Sequence, residues 1–132
     1  MIELMVAMAM ISVVIATIFY FMLSSTKLVS RAIDFSKSDQ TVRSVAARIS
    51  SDIIQSGGAG VGSGPDKLIL GNISYQFLNN KVRREEGNDV YYLTIEGEIN
   101  GLKFSYPSSK LIKFEIIPNY GGVYYLNAYA RN

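Results

Sequence analysis

The chain has 132 residues, of which 48% are hydrophobic, and its 13 Lys and Arg against 11 Asp and Glu give a net charge of +2. This length predicts one small domain, and so small a net charge argues neither for nor against a nucleic-acid partner. The chain has no Cys and no His. Cys nucleophiles, Ser–His and Cys–His pairs, imidazole acid–base steps and zinc sites with the usual ligands are therefore excluded, and we expect neither an enzyme nor a bound cofactor or metal.

Residues 1–23 form an almost uninterrupted apolar run in which Glu3 is the only charged side chain. A helix over the uncharged residues 4–23 would be about 30 Å long, which is the thickness of the hydrocarbon core of a bilayer. A secretory signal starts with positive charge and ends at a small-residue cleavage site, whereas this run starts with an acid and continues without a break. The segment therefore needs lipid, or other copies of itself, around it.

Residues 24–56 carry a helical period. No Gly or Pro precedes Gly57, so the sequence predicts one helix over residues 1–56, about 84 Å long. In its second half, apolar residues recur at spacings of three and four and form one stripe: Val42, Val45, Ala46, Ile49 and Ile53. We expect residues 42–54 to pack on the rest of the protein, residues 24–40 to be exposed or to contact other chains, and Gly57-Gly58 to end the helix.

Residues 57–132 are expected to form a β-sheet head. The glycine-rich stretch 57–65 matches no phosphate-binding loop and is predicted to connect helix and sheet. Beyond it apolar residues alternate with polar ones in runs around residues 73–77, 102–106 and 112–116, with further runs at 90–95 and 123–129 and a hairpin turn at Asn79-Asn80. The predicted fold class is α+β, with a long N-terminal helix, apolar in its first half and amphipathic in its second, packed on one C-terminal antiparallel sheet. The predicted division is a helical part, 1–56 (1–23 as membrane or filament-core segment, 24–56 amphipathic), and a head, 57–132.

The N-terminal motif Ile2-Glu3-Leu4-Met5-Val6 resembles the mature start of type IV pilins and type II secretion pseudopilins. The remainder is similar in its order of features to minor pilins and J-type minor pseudopilins. The motifs that carry this likeness are the helix end Asp52-Ile53-Ile54-Gln55-Ser56-Gly57-Gly58, the strand Ile73-Ser74-Tyr75, the basic-acidic turn Arg83-Arg84-Glu85 and the strand Leu102-Lys103-Phe104-Ser105-Tyr106. The likeness implies the long helix and β-sheet head of a pilin.

The chain also departs from the family pattern. Pilins have two more residues before the glutamate, the first of them N-methylated after leader removal, so either Met1 is a replacement start or further residues precede it. The proline of major pilins, expected near Tyr20, and the cysteines of the C-terminal disulfide are missing. These departures favour a minor pilin or pseudopilin over a major pilin.

Glu3 is the foremost candidate site residue. It is either a helix-start acid, which the macrodipole favours by roughly 0.3–1 kcal/mol, or a carboxylate at the edge of an apolar segment, which is costly unless it is paired. The resemblance implies the second role, in which Glu3 pairs with the N-terminal amine of an adjacent subunit, on Met1 if that is the true start. The small residues that permit close approach of neighbouring helices are Ala7, Ala9, Ser12 and Ala16.

The resemblance implies a structural subunit of a type IV pilus or pseudopilus. Before assembly the helix holds it in the inner membrane of a bacterium, and afterwards it lies in a periplasmic or extracellular filament. The implied partners are copies of itself or other pilins, the membrane and the assembly machinery. Alternatives are a single-pass membrane-anchored binding module, a major pilin, and a DNA-uptake minor pilin. The last requires a basic stripe that the scattered Lys and Arg do not form, so no nucleic acid is expected.

Other groups in the head have plain interpretations. Glu96 and Glu98 flank Gly97 and are predicted to be solvated turn acids, and Arg83-Arg84 a hairpin tip whose charge the following acids cancel. The tyrosines at 91, 92, 120, 124, 125 and 129 are predicted to be half-buried strand residues, with a sugar-binding or other binding face as the alternative.

Overall fold

A computed structural model describes residues 1–131, and these form one helix followed by seven strands. Helix α1 spans Ile2–Gln55. The strands are β1 (Lys67–Leu70), β2 (Ile73–Leu78), β3 (Lys81–Glu86), β4 (Asp89–Tyr92), β5 (Ile99–Ser105), β6 (Leu111–Pro118) and β7 (Tyr124–Tyr129). The order of one long N-terminal helix followed by antiparallel strands confirms the predicted α+β class.

The strands form two sheets, where the sequence pattern predicted one. Strands β1-β2-β3-β4 make a four-stranded sheet and β5-β6-β7 a three-stranded sheet, with every neighbouring pair antiparallel. The first sheet ends at β4, after which the chain leaves it. The Thr94 hydroxyl accepts a hydrogen bond from the Val82 amide (2.8 Å), and a turn at Glu96-Gly97, with Gly97 at φ +83°, redirects the chain into β5. The short edge strand β1 was not predicted from the sequence.

The second half of α1 contributes the predicted stripe to the core. Val42, Val45, Ala46, Ile49 and Ile53 are all buried, whereas Ile54 on the next position is 45% exposed. They pack with inward side chains of both sheets, among them Leu68, Tyr75, Val82, Leu102, Phe114 and Ile116. Full burial of each Val and Ile side chain contributes roughly 1.5–3 kcal/mol, so this stripe fixes the second half of the helix on the sheets.

Two tight turns lie where the sequence predicts them. Asn79 and Asn80 between β2 and β3 have φ of 51° and 56°, the left-handed conformation at both central positions of a type I′ hairpin turn. Helix α1 ends at Gln55, directly before the Ser56-Gly57-Gly58 segment, and Gly58 has φ +117°.

The chain divides into two compact units, Met1–Asp34 and the part from Phe35 onward. In the first, every side chain is exposed except for the partly exposed Ser24 and Ser25. In the second, Ser38 is buried, and its hydroxyl donates to the Tyr120 carbonyl oxygen (3.1 Å). Ser38 is thus an exception to the exposure predicted for residues 24–40.

Candidate functional site

The first part of helix α1 presents its apolar side chains outward. From Ile2 to Leu23, every large apolar side chain is between 50% and 79% exposed. The helix is long and apolar enough to cross a membrane, and none of its most apolar 18-residue window is buried, unlike the core helix of a soluble protein. The chain therefore carries an N-terminal helix of the kind that serves as a membrane anchor or a signal sequence.

The hydroxyl groups in this segment are bonded within their own helix. The Ser12 hydroxyl donates to the Met8 carbonyl oxygen and the Thr17 hydroxyl to the Val13 carbonyl oxygen, both at 2.8 Å. Such bonds to the preceding turn remove the cost of placing a hydroxyl in an apolar surround. Ser12 and Thr17 are consequently compatible with lipid or with neighbouring apolar helices.

Glu3 lies in the first turn of α1, where the Met5 amide donates to the Met1 carbonyl oxygen (3.3 Å). Within residues 1–131, neither the Glu3 carboxylate nor the Met1 amine has a hydrogen bond or an ion pair. Basic side chains are also distant along the chain, since the first one after Glu3 is that of Lys27. Glu3 is therefore a carboxylate at the edge of an apolar surface with its pairing capacity unused, and its role in assembly stays a prediction.

The four small residues lie on two sides of the helix. At about 100° per residue, Ala9, Ser12 and Ala16 share one face, while Ala7 lies about 160° away from Ala9. Ala7 follows Glu3 by four residues and shares its side. The helix thus has a face of three small side chains opposite Glu3 and one small side chain, Ala7, on the side of Glu3. The function of these four residues in helix packing remains a prediction.

A polar cluster is buried in the head, formed by Asp52 of α1, Tyr75 of β2 and Arg84 of β3. The Arg84 guanidinium donates through Nε to Asp52 Oδ2 (2.9 Å) and approaches the Tyr75 hydroxyl oxygen (3.1 Å). The Tyr75 hydroxyl donates to the same Asp52 oxygen. Arg84 also donates through Nη1 to Glu86 (2.6 Å). Arg84 is only 3% exposed, so this cluster ties the helix end to two strands through charge-assisted bonds.

The cluster shifts the pKa of two of its members. Burial, followed by the hydrogen bond to Asp52, raises the pKa of Tyr75 well above its ordinary value, so the phenol stays protonated. For Arg84, burial opposes the charged form, but hydrogen bonds to Glu86, Asp52 and Tyr75 outweigh it and raise the pKa. The cluster is thus a fixed ion pair with a neutral phenol, an arrangement suited to holding structure.

This cluster was not predicted from the sequence, and the prediction that Arg83-Arg84 form a hairpin tip was wrong. Arg84 lies in the middle of β3, and the chain turns after Glu86 instead. Two features of the sequence indicate the buried cluster. Asp52 continues the apolar stripe at three residues from Ile49, and the period of two along β3 puts Arg84 on the same side as the buried Val82.

A groove of about 460 Å³ runs beside the cluster, between α1 and strands β3 and β4. Arg48, Arg84, Glu86, Tyr91 and Tyr92 contribute to its lining. Arg48 approaches Asp52 at 3.9 Å through Nε, while its side chain stays half exposed. Of the two described arginines that line the groove, Arg48 is the more available, because Arg84 is engaged by Asp52, Tyr75 and Glu86.

The remaining sequence candidates have mixed outcomes. Glu96 and Glu98 lie at the predicted turn; Glu96 pairs with Lys81 (3.7 Å) and Glu98 accepts from the Ile95 amide (3.0 Å). Of the tyrosines predicted to be half-buried, only Tyr124 is, and its hydroxyl donates to Asp39 (2.6 Å). The others are exposed: Tyr91, Tyr92, Tyr120, Tyr125 and Tyr129. Among residues 1–131, no group of three or more Asp or Glu side chains is placed to hold a metal ion.

Comparison of the chain with protein-family models, curated proteins and solved structures found no match. The likeness to pilins therefore rests on the sequence motifs alone.

Proposed function

We propose that this chain is a structural subunit of a type IV pilus or pseudopilus, of the minor class, held in the inner membrane by its N-terminal helix before assembly. The observation that carries the proposal is Glu3. The Glu3 carboxylate has no partner among the described residues and begins an exposed apolar helix that has no basic side chain before Lys27. An amine supplied by a neighbouring copy or another pilin satisfies this carboxylate inside an apolar filament core, where an unpaired charge is costly.

The small residues support transfer from lipid to a filament. Little hydrophobic free energy distinguishes lipid tails from the apolar side chains of neighbouring helices, so close packing and polar pairing decide the association. Ala9, Ser12 and Ala16 on one face and Ala7 on the other permit close approach from two sides, as a helix surrounded by copies requires.

The head has a core that does not draw on the apolar segment. Of the described residues, none before Ser38 is buried. Residues 2–23 are therefore free to change their surroundings without removing side chains from the core. A subunit of this kind is a structural protein, and we assign it no catalytic role, cofactor or nucleic-acid partner.

The test is electron microscopy of material sheared from the surface of the producing cells, with mass spectrometry of its protein. Glu3→Ala is compared with Glu3→Asp, which keeps the carboxylate. We expect both variants to enter the membrane, Glu3→Ala to be absent from filaments, and Glu3→Asp to be incorporated at least in part.

Normal incorporation of Glu3→Ala would contradict the role of the carboxylate. Recovery of the wild-type chain only from membranes, in cells whose other filaments are recovered by shearing, would contradict the filament proposal and favour the membrane-anchored binding module.

A further inference from the structure

The outward face of the three-stranded sheet carries an ordered grid of polar and aromatic side chains. The strand register puts Lys103 opposite Glu115 and Glu115 opposite Tyr125; in the adjacent row it aligns Ser105, Lys113 and Asn127. Their neighbours Phe104, Phe114 and Leu126 point to the core side, as the alternating burial shows. The grid is thus one continuous surface built on three rigid strands.

Two tyrosines of β7 lie on this face with their rings open to solvent. Tyr125 is 78% and Tyr129 67% exposed, and their separation of four residues puts them about 13 Å apart on the same side of the strand. Aromatic side chains bury large areas in a protein and a ring left exposed is available for stacking. Two such rings on one strand, beside aligned polar groups, indicate a binding face.

The polar groups of the grid are not engaged with each other. The side chains of Lys103, Lys113, Glu115 and Asn127 make no hydrogen bond or ion pair with any described residue, although Lys103 and Glu115 are direct cross-strand neighbours. A groove of about 480 Å³ lies over them and is also lined by Tyr125 and Pro65. This volume is within the range of about 300–1,000 Å³ found for small-molecule sites.

We propose that this face binds a neutral polysaccharide chain, with a sugar ring stacked on Tyr125 and hydroxyl groups hydrogen-bonded to Asn127, Glu115 and the two lysines. A polyhydroxyl ligand uses donors and acceptors together, and the grid offers both. The formal charges of Lys103, Lys113 and Glu115 nearly balance, and Glu115 in the central strand repels phosphates. Both features argue against a polyanion such as single-stranded nucleic acid.

A second copy of the chain fits this face less well than a sugar. The cores of protein–protein interfaces are depleted of Lys and Glu, and burying three unpaired charged groups against another head is costly. A solvated glycan leaves their charged ends in contact with water. The proposal depends only on the head and stands apart from the proposed filament role.

The experiment is isothermal titration calorimetry of the full chain in a detergent without a sugar headgroup. The probes are cellohexaose, maltohexaose and chitohexaose. Four variants are compared with the wild type: Tyr125→Ala, Tyr125→Phe, Asn127→Ala and Tyr91→Ala. Tyr91 is an exposed tyrosine of β4, outside the grid.

We expect at least one hexasaccharide to bind, with affinity reduced about tenfold or more in Tyr125→Ala, since this variant loses the ring on which the sugar stacks. Tyr125→Phe keeps the ring and should retain most of the affinity, Asn127→Ala should weaken binding, and Tyr91→Ala should match the wild type. The proposal is overturned if none of the three sugars binds, or if Tyr125→Ala binds as the wild type does. It is equally overturned if Tyr125→Ala leaves sugar binding unchanged and abolishes either self-association of the chain or salt-sensitive binding of a thymidine oligonucleotide.

Discussion

Arg84 donates through Nε to Asp52 at 2.9 Å and so joins the end of helix α1 to the middle of strand β3. Both side chains are less than a tenth exposed. The pair is one of the few polar contacts of the core, and Tyr75 adds a hydrogen bond to the same Asp52 oxygen. Because the two charges are already desolvated, each depends on the other for compensation.

Asp52→Asn should strongly destabilise the head. The substitution keeps the shape of the side chain but leaves Glu86, at the edge of the cluster, as the nearest counter-charge of a buried guanidinium. We expect the free energy of unfolding to fall by about 3 kcal/mol, the lower end of the cost of removing one partner from a buried pair. Urea unfolding followed by near-ultraviolet circular dichroism measures it.

Asp66→Asn is the matched control, because Asp66 is exposed and outside the cluster. An exposed substitution of this kind should change the free energy by no more than about 0.5 kcal/mol. Equal stability of the two variants would show that Arg84 is adequately compensated without Asp52.

Periodicity was sufficient to predict the class of the fold. The spacing of Val42, Ile49 and Ile53 identified the buried helix face, and Asn79-Asn80 identified a hairpin, because these features depend on neighbours along the chain. The split into two sheets did not follow from the pattern, and neither did the long-range bond from the Val82 amide to the Thr94 hydroxyl where the chain leaves the first sheet. Local alternation alone gives no sign of such a contact.

The buried cluster and the exposed tyrosines escaped prediction for a related reason. A charged residue such as Arg84 is expected outside unless its partner is known, and that partner, Asp52, is 32 residues away. Tyr125 and Tyr129 alternate correctly for a strand, but alternation does not reveal which face is covered. The role of Glu3 depends on other chains, and a single chain leaves its carboxylate unpaired.

Gly58 should be far less replaceable than its neighbour Gly57. A Cβ at Gly58 would lie 2.5 Å from the Ser109 carbonyl oxygen, and φ is +117°. At Gly57 nothing lies within 4 Å of the same atom. We expect Gly58→Ala to cost about 1–3 kcal/mol and Gly57→Ala to be neutral to within about 0.5 kcal/mol. Urea midpoints of the two variants, compared with the wild type, provide the measurement, and equal midpoints would contradict the close approach of residues 58 and 109.

The head should lose stability at alkaline pH through the phenols of the half-buried Tyr106 and the buried Tyr75. The Tyr106 hydroxyl lies 2.9 Å from the Gly64 carbonyl oxygen and 3.0 Å from that of Lys67, and burial raises the pKa of Tyr106 to about 12. A group whose pKa is raised on folding stabilises the protein fully below its unfolded value, about 10 for tyrosine. That contribution is lost as the pH rises through the folded value, and Tyr75, whose pKa is also raised, acts in the same direction.

Tyr106→Phe should therefore have a shallower loss of stability above about pH 10. It should also lose about 1 kcal/mol at neutral pH, because the carbonyl oxygens of Gly64 and Lys67 lose a donor. Urea unfolding at a series of pH values gives the profile, and Tyr91→Phe, which alters an exposed phenol of β4, should reproduce that of the wild type. If Tyr106→Phe has the same alkaline slope as the wild type, ionisation of Tyr106 is not coupled to unfolding.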